Sequence, residues 1–459
     1  MAQAIDAAHW QERLDLLARQ AGVVGAVLGI LRLRDGEPDE LVRVATGVLN
    51  ASTGRPTSVD SLFQIGSITK PCTATVVMQL VEEGKIGLDI PVKDILPGFR
   101  LSTAELTNGV TVRHLLNHTS GIDGDVFVDT GPADDCVAKY MTVLESARQI
   151  SAPGEFWSYC NPGFSILGRI IEVLTGQVWD DAMRERLFEP LGLQHTVTLP
   201  EQALLFDTAV GHLKGLPEPV VTPRWTLERC NGPAGAITMS VADLLAFARL
   251  HLGYGMTADG TRVLRAGFAA AMRTFSVDVP WESNSGESWG LGWARYSWGG
   301  RRLFGHDGST IGQSAFLRFS TDHGLAVALM ANITPSRRLY QPLFGEIFDE
   351  LCGVTIAPPL ALPAAPPQLD ITPWLGTYER ASVRLEIFEK DGPWLRVTEL
   401  DELAGLDGDP VAEYPMVPIR DGLYGVVTKD GMVNGVQLFQ TDSGVRYVHF
   451  SSRATPMVR

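Results

Sequence analysis

Between residues 357 and 367 the chain reads Ala-Pro-Pro-Leu-Ala-Leu-Pro-Ala-Ala-Pro-Pro. Proline locks φ and carries no N–H, so a run this rich in proline continues no helix and fits inside no sheet. Residues 357–370 therefore read as a stiff, extended linker. It divides the 459 residues into 1–356 and 371–459, with the first segment long enough to bury a large core.

The two segments carry different patterns. An amphipathic helix is predicted over Met1–Gln20. The apolar runs Val23–Leu33 and Leu41–Leu49 are rich in β-branched residues, and Arg34-Asp35-Gly36-Glu37-Pro38 between them is turn chemistry, so they read as a hairpin. Strand signals return at Gly290–Ala294, Arg302–Phe304, Ser314–Phe319 and Leu325–Ala331, followed by a helix over Leu339–Leu351. Between these ends the spacing predicts helices over Ser67–Glu83, Thr111–Asn117, Phe164–Thr175 and, after the N-cap candidate Ser240, Val241–Leu252. Strands at both ends of a helical middle imply an α+β unit: one antiparallel sheet flanked by helices, with a helical subdomain beside it. Beyond Trp374, short alternating runs such as Val383–Ile387 and Tyr447–Phe450 are separated by turns at Asp421-Gly422, Asp430-Gly431 and Ser443-Gly444. That pattern predicts a small all-β barrel or sandwich.

Charge and cysteine usage exclude whole classes of function. A formal net charge of −15 offers no basic footprint for nucleic acid and is repelled by an anionic membrane. No apolar run reaches the length of a membrane span, and the N-terminus lacks the pattern of a signal peptide, so a cytoplasmic location is expected. The cysteines at 72, 136, 160, 230 and 352 are odd in number and widely spaced. They read as free thiols, neither a disulfide scaffold nor a zinc site.

Three short patterns carry chemistry. Ser67-Ile68-Thr69-Lys70 places a lysine one turn after a serine at a helix start. A lysine in an apolar site loses its proton readily and can activate the hydroxyl, while the helix N-terminus offers N–H groups to an oxyanion. Pro71 requires Ser67 to sit at the very start of the helix. Tyr159-Cys160-Asn161 points a phenol and an amide the same way from an extended segment. Gly305-His306-Asp307-Gly308-Ser309 lies between two strand signals, with glycines that admit a substrate to the backbone.

In order and spacing these patterns resemble the three motifs of the serine β-lactamase and penicillin-binding-protein superfamily, particularly its class C-like members. Phe63–Lys70, Thr111–Gly121 and Gly290–Trp293 add to a resemblance covering about residues 20 to 350. It implies that Ser67 forms an acyl-enzyme and that Lys70 and Tyr159 share the proton transfers. Of the other two catalytic candidates, the Asn161 amide can bind substrate and steady Lys70, and His306 can protonate a leaving group or hydrogen-bond to substrate. The backbone N–H groups of Ser67 and Ser309 would form the oxyanion hole, with Asp307 and Gly308 beside the substrate and Gly235 shaping the acyl pocket. His306 stands where many members have a lysine that holds a carboxylate. This counts against efficient β-lactam hydrolysis and toward esterases, D-aminopeptidases and acyltransferases.

Other patterns are weaker. Gly286-Glu287-Ser288-Trp289-Gly290 lacks the strand–serine–helix setting of a nucleophile elbow and reads as a chance match in a loop. His114 and His118 have the spacing of a metal pair but no evident third ligand, so capping or packing is expected, and no metal or cofactor. The β-rich tail suggests a lipocalin-like barrel, as in penicillin-binding-protein-type thioesterases that release and macrocyclise nonribosomal peptides. There Arg446 is a candidate to grip a peptide. The favoured reading is such a cyclase, acting on a small-molecule or peptide substrate, including a carrier-protein-bound peptidyl thioester. The alternatives are a cytoplasmic carboxylesterase or D-amino-acid-specific peptidase, and a sensor that is acylated once and stops.

Overall fold

The computed structural model describes residues 4–34, 36–214, 218–283, 286–334, 336–400, 404–405, 409–429 and 431–458. Asp35 and Asp430, each in a predicted turn, and Met1–Gln3 of the predicted first helix lie outside the described residues.

The main sheet is assembled from both ends of residues 25–331. Its strands are β1 (Gly25–Arg32), β2 (Glu40–Asn50), β3 (Arg55–Pro56), β4 (Val277–Ser283), β5 (Gly286–Trp289), β6 (Ala294–Trp298), β7 (Arg301–Thr310), β8 (Gln313–Ser320) and β9 (Leu325–Ala331). They pair in the order β3-β2-β1-β9-β8-β7-β6-β5-β4, all antiparallel. The closure is the β1–β9 pairing, which runs from Ala26 opposite Ala331 to Arg32 opposite Leu325.

Both faces of β1 are covered, which is why it reads as an unbroken apolar run. Ala26, Leu28 and Ile30 pack with Trp10, Leu14 and Leu17 of α1 (Ala7–Ala21) and with the last helix of this unit, Arg337–Cys352. Val27 and Leu31 join the core of the helical side. Gly29 lies on that same side, and a Cβ there would sit 2.6 Å from Leu245, in the predicted helix Val241–Leu252 capped by Ser240. The absent side chain lets helix and sheet touch.

The helical subdomain surrounds α2 (Thr69–Glu82), whose residues Thr69–Leu80 are buried on every side. α3 (Val112–Leu116) and α4 (Asn161–Thr175, closed by Gly176) pack around it. Two expectations need correction. Gly290–Trp293 is the connection between β5 and β6, not a strand; Gly292 has φ +87°, and the loop is apolar because it presses onto α2, where a Cβ on Gly292 would lie 2.8 Å from Ala74. Ser288 lies inside β5 and is buried, and no helix follows it, so the elbow pattern has neither a loop nor an elbow around it.

After residue 352 the chain has neither helix nor strand until the turn at Thr372–Trp374. Beyond it are β10 (Gly376–Arg380), β11 (Val383–Glu389), β12 (Pro393–Glu399) and β13 (Val411–Pro415) in one antiparallel sheet. A second holds β14 (Val417–Arg420), β15 (Leu423–Val427), β16 (Val433–Gln440), β17 (Arg446–Phe450) and β18 (Arg453–Pro456). The sheets enclose one core around Tyr378, Leu385, Leu395, Val436 and Val448, and meet at the Tyr378–Met457 bridge. The described residues form this pair of sheets without a closed barrel. The chain leaves the first sheet at Met416, between Pro415 and Pro418, neither of which has an N–H to extend a ladder.

No helix among the described residues is long and apolar enough to cross a membrane, and all five cysteines are free.

Candidate active site

The predicted helix start is a single 3-10 turn, Gly66–Ile68, leading into α2 at Thr69. Pro71 falls in the first turn of α2, where an N–H would have no helical partner. Gly66 has φ +50°, and a Cβ on it would lie 2.6 Å from Ser309 N. Gly308 is as tight: its Cβ would stand 1.8 Å from the Ile65 carbonyl and 3.1 Å from Ser67 N. Two absent side chains thus seat β7 against the turn and bring the backbone of Ser309 beside that of Ser67, as the expected oxyanion hole requires. The segment Gly305–Ser309, read from sequence as lying between two strands, is the inner part of β7 itself.

Lys70 is wholly buried. Its Nζ lies 3.0 Å from Ser67 Oγ and donates to the Ala234 carbonyl at 2.8 Å. Burial pushes its pKa well below the ordinary lysine value, and the Arg453 guanidinium pushes the same way against a smaller pull from Asp125. A neutral amine so placed keeps an N–H for Ala234 and a lone pair for the serine proton. Tyr159 has its ring 4.9 Å from Lys70 Nζ; burial raises its pKa, partly offset by the Ser67 hydroxyl, so it stays a phenol. Its hydroxyl faces His306 Nε2 at 3.5 Å. His306 donates from Nδ1 to the Asp307 carbonyl, and burial, reinforced by Lys70, lowers its pKa to about 3, so the ring is neutral. Asp307 is paired with buried Arg318 at 2.6 Å.

The remaining expectations divide. Gly235, Asp307, Gly308 and Asn161 line one cavity of about 410 Å³ with Ser67, Tyr159, His306 and Ser309. Asn161, at the first position of α4, gives its Nδ2 to Asp125 at 2.8 Å, and Lys70 is steadied instead by Ala234. His114 caps α3, accepting from Thr111 N. His118 accepts from Cys160 N at 3.0 Å and stacks on Tyr159 with ring centroids 4.2 Å apart, so it packs. Among the described residues no group of three or more His, Cys, Asp or Glu could hold a metal. Arg446 is a correction: its guanidinium is turned to the Pro373 carbonyl at 2.6 Å and does not line the cavity. β17 carries it past the site, and the turn after β17 reaches the site instead.

That turn was not legible in the sequence. Ser451 and Ser452 hold φ +49° and +67°, folding β18 back so that Ser452 O accepts from Tyr159 N at 3.0 Å. Arg453 then lines the cavity, with its guanidinium 4.8 Å from the Tyr159 ring. Buried Asp125 receives Arg453 at 2.8 Å on one oxygen and Arg380 at 2.6 Å on the other. Burial alone would raise the Asp125 pKa, but the two guanidiniums and Asn161 hold it well below the carboxylate range. Further bonds tie the C-terminal strands to this side of the helical subdomain. Ala381 N donates to Asp123 at 2.7 Å, and the Tyr447 hydroxyl to the Ile150 carbonyl at 2.7 Å.

This geometry agrees with the comparisons to known proteins. The Beta-lactamase family matches residues 10–349, and the chain belongs to that family. It is 46% identical over 381 residues to Penicillin-binding protein 4 of Amycolatopsis lactamdurans, covering 82% of this chain and 98% of that one. It is 28% identical over 313 residues to a D-aminopeptidase of Brucella anthropi, over 65% of this chain and 55% of the relative. Among solved structures, SurE superposes with a TM-score of 0.79 at 27% identity, over 98% of this chain and 99% of SurE. A D-stereospecific amidohydrolase from Streptomyces sp. superposes with a TM-score of 0.59 at 27% identity, over 76% of this chain and 99% of that one. The protein is an enzyme of the serine hydrolase type.

Proposed function

We propose that Ser67 takes up the acyl group of a peptidyl ester or thioester ending in a D-residue, and that the enzyme passes it to an amine, releasing a nonribosomal peptide as a macrocycle. Neutral Lys70 accepts the Ser67 proton as Oγ attacks the carbonyl. The tetrahedral oxyanion lies between the N–H groups of Ser67 and Ser309, and Tyr159 relays the proton to the departing thiolate or alkoxide. In the second half the amine attacks the acyl-enzyme, its proton returns through Tyr159 and Lys70, and Ser67 is regenerated.

The observation that carries this reading is the Ser451–Arg453 turn, which makes the C-terminal strands a wall of the Ser67 cavity. A wall that keeps water from the acyl-enzyme favours a bound amine as acceptor. The likeness to SurE spans both regions of the chain, and one SurE structure is described as "with D-Leu", which supports a D-residue substrate. In this reading residues 1–356 are the catalytic domain, 357–370 the linker and 371–459 the lid, working in the cytoplasm on a carrier-bound peptide. The likeness to D-stereospecific amidohydrolases favours a second reading, hydrolysis by the same acyl-enzyme.

Product masses separate the two. With a peptidyl thioester ending in a D-residue, loss of the leaving group alone is expected for cyclisation, and gain of one water would move the assignment to a D-peptidase or esterase. Turnover past one equivalent excludes a sensor. Identical products from Ser67→Ala would sink the nucleophile assignment.

A further inference from the structure

A second cavity, of about 450 Å³, opens off the first. The two share Phe127, Leu227, Ser309 and Thr334 as lining residues, so they adjoin at Ser309, whose N–H is one arm of the expected oxyanion hole. From Ser309 the new cavity runs along Thr310, Ile311 and Gly312, and its far wall comes from the C-terminal sheets. Val383, Leu385, Val397 and Phe450 give that wall an apolar strip, with Leu385 directly opposite Val397 across β11 and β12, beside Arg380, Ser382, Glu399 and Ser451.

Two residues lining this cavity each carry a polar atom with no partner among the described residues. Arg380 Nε, on a side chain 8% exposed, and Thr310 Oγ1 are both buried without a hydrogen bond, and both residues line the cavity. Leaving such atoms unpaired is costly, so they call for a ligand with an acceptor and a donor. The charge of Arg380 is already met by Asp125 at 2.6 Å, and exposed Glu399 also lines the cavity, so a free carboxylate is disfavoured there. An apolar strip with one free donor and one free hydroxyl matches a peptide: side chains against Val383, Leu385, Val397 and Phe450, and amide groups toward Arg380 Nε and Thr310 Oγ1.

We propose that this cavity is a subsite for an apolar peptide segment immediately upstream of the residue acylated onto Ser67. The inference rests on the acylation reading above. Tyr159, which hands the proton to the leaving group, faces His306, so the leaving group lies toward His306 and the retained acyl chain runs from Ser309 toward Thr310–Gly312; the segment is therefore the upstream one.

The test is a ladder of acyl donors: the thioesters of N-acetyl-D-Ala, N-acetyl-Leu-D-Ala and N-acetyl-Leu-Leu-D-Ala, with kcat and KM measured for each. Burying one leucine side chain there lowers KM by about tenfold or more. In Val397→Asp the ladder flattens to less than about threefold per step, and in Val397→Phe, which fills the cavity, the gain stops one residue earlier. The slope along the ladder is the readout, so a variant with less folded protein still reports. A flat ladder in the native protein, or the same slope in all three proteins, would overturn the subsite while leaving acylation intact. Absence of turnover with N-acetyl-D-Ala thioester would overturn the acylation reading, and the subsite with it.

Discussion

Replacing Arg453 by alanine removes a cation that the main sheet and helical subdomain do not supply. Lys70 Nζ and the Arg453 guanidinium lie 4.9 and 4.8 Å from the centre of the same Tyr159 ring, so they are within about 10 Å of each other. At that separation and an effective dielectric of about 20, two unit charges repel by at least about 1.7 kcal/mol. Arg453 therefore favours the neutral form of Lys70, and its loss raises the lysine pKa, the more so because Asp125 remains to attract the ammonium. If neutral Lys70 is the base, the acid limb of the kcat/KM profile moves to higher pH in Arg453→Ala, and at a fixed pH on that limb kcat/KM falls by about tenfold. Arg453→Lys, which keeps the charge, restores most of the position. The assay is the pH dependence of kcat/KM with a short D-residue thioester. An acid limb at the same pH in native protein and Arg453→Ala, with activity lost uniformly, would refute the electrostatic argument and leave Arg453 a packing residue.

Three further perturbations follow from the same geometry. Asp125→Asn should shift the acid limb the opposite way, to lower pH, because an anion that favours the ammonium is gone. It should also cost about 3–5 kcal/mol of stability by leaving two buried guanidiniums without their carboxylate, read by denaturant titration. Gly308→Ala places a methyl 1.8 Å from the Ile65 carbonyl, so β7 must move off the Ser67 turn; kcat should fall by about 10²–10³ with little change in KM, and an unchanged kcat would dissociate Ser309 from the oxyanion. Burial lowers the pKa of His251, His306 and His449 each to about 3, so on unfolding each takes up a proton below its unfolded pKa of about 6.5. Their contribution is full above that pH and is lost as pH falls from about 6.5 toward 3. Melting temperatures should drop between pH 7 and 5, and His251→Gln should reduce the proton uptake by about one; an unchanged pH slope would contradict the burial argument.

Much of this protein was legible in its residue order. The hairpin of β1 and β2, the strand β9 at Leu325–Ala331 and the helix Val241–Leu252 follow from periodicity and capping within a dozen residues, and the structure places them with those bounds or within a few residues of them. Ser67-Ile68-Thr69-Lys70 is local for the same reason: a helix start and one turn bring hydroxyl and amine to 3.0 Å wherever the helix is packed. Apolar runs misled where burial came from another element. Gly290–Trp293 reads as a strand because α2 covers it, and no window of sequence distinguishes that from sheet burial.

The chemistry of the site depends on what lies far away in the chain. A lysine is an ammonium in water, and Lys70 departs from that only because Phe164, Tyr159 and the Ala234 carbonyl close around it while Arg453 approaches from the C-terminal strands. Asp125 and Arg453 are 328 residues apart and lie in no recognisable pattern. The nucleophile and its first-turn partner are thus properties of a short sequence, because helix geometry alone sets their distance. The protonation state of that partner and the walls of the cavity belong to the tertiary structure, because desolvation and Coulomb interactions act through space and depend on every element packed around the site.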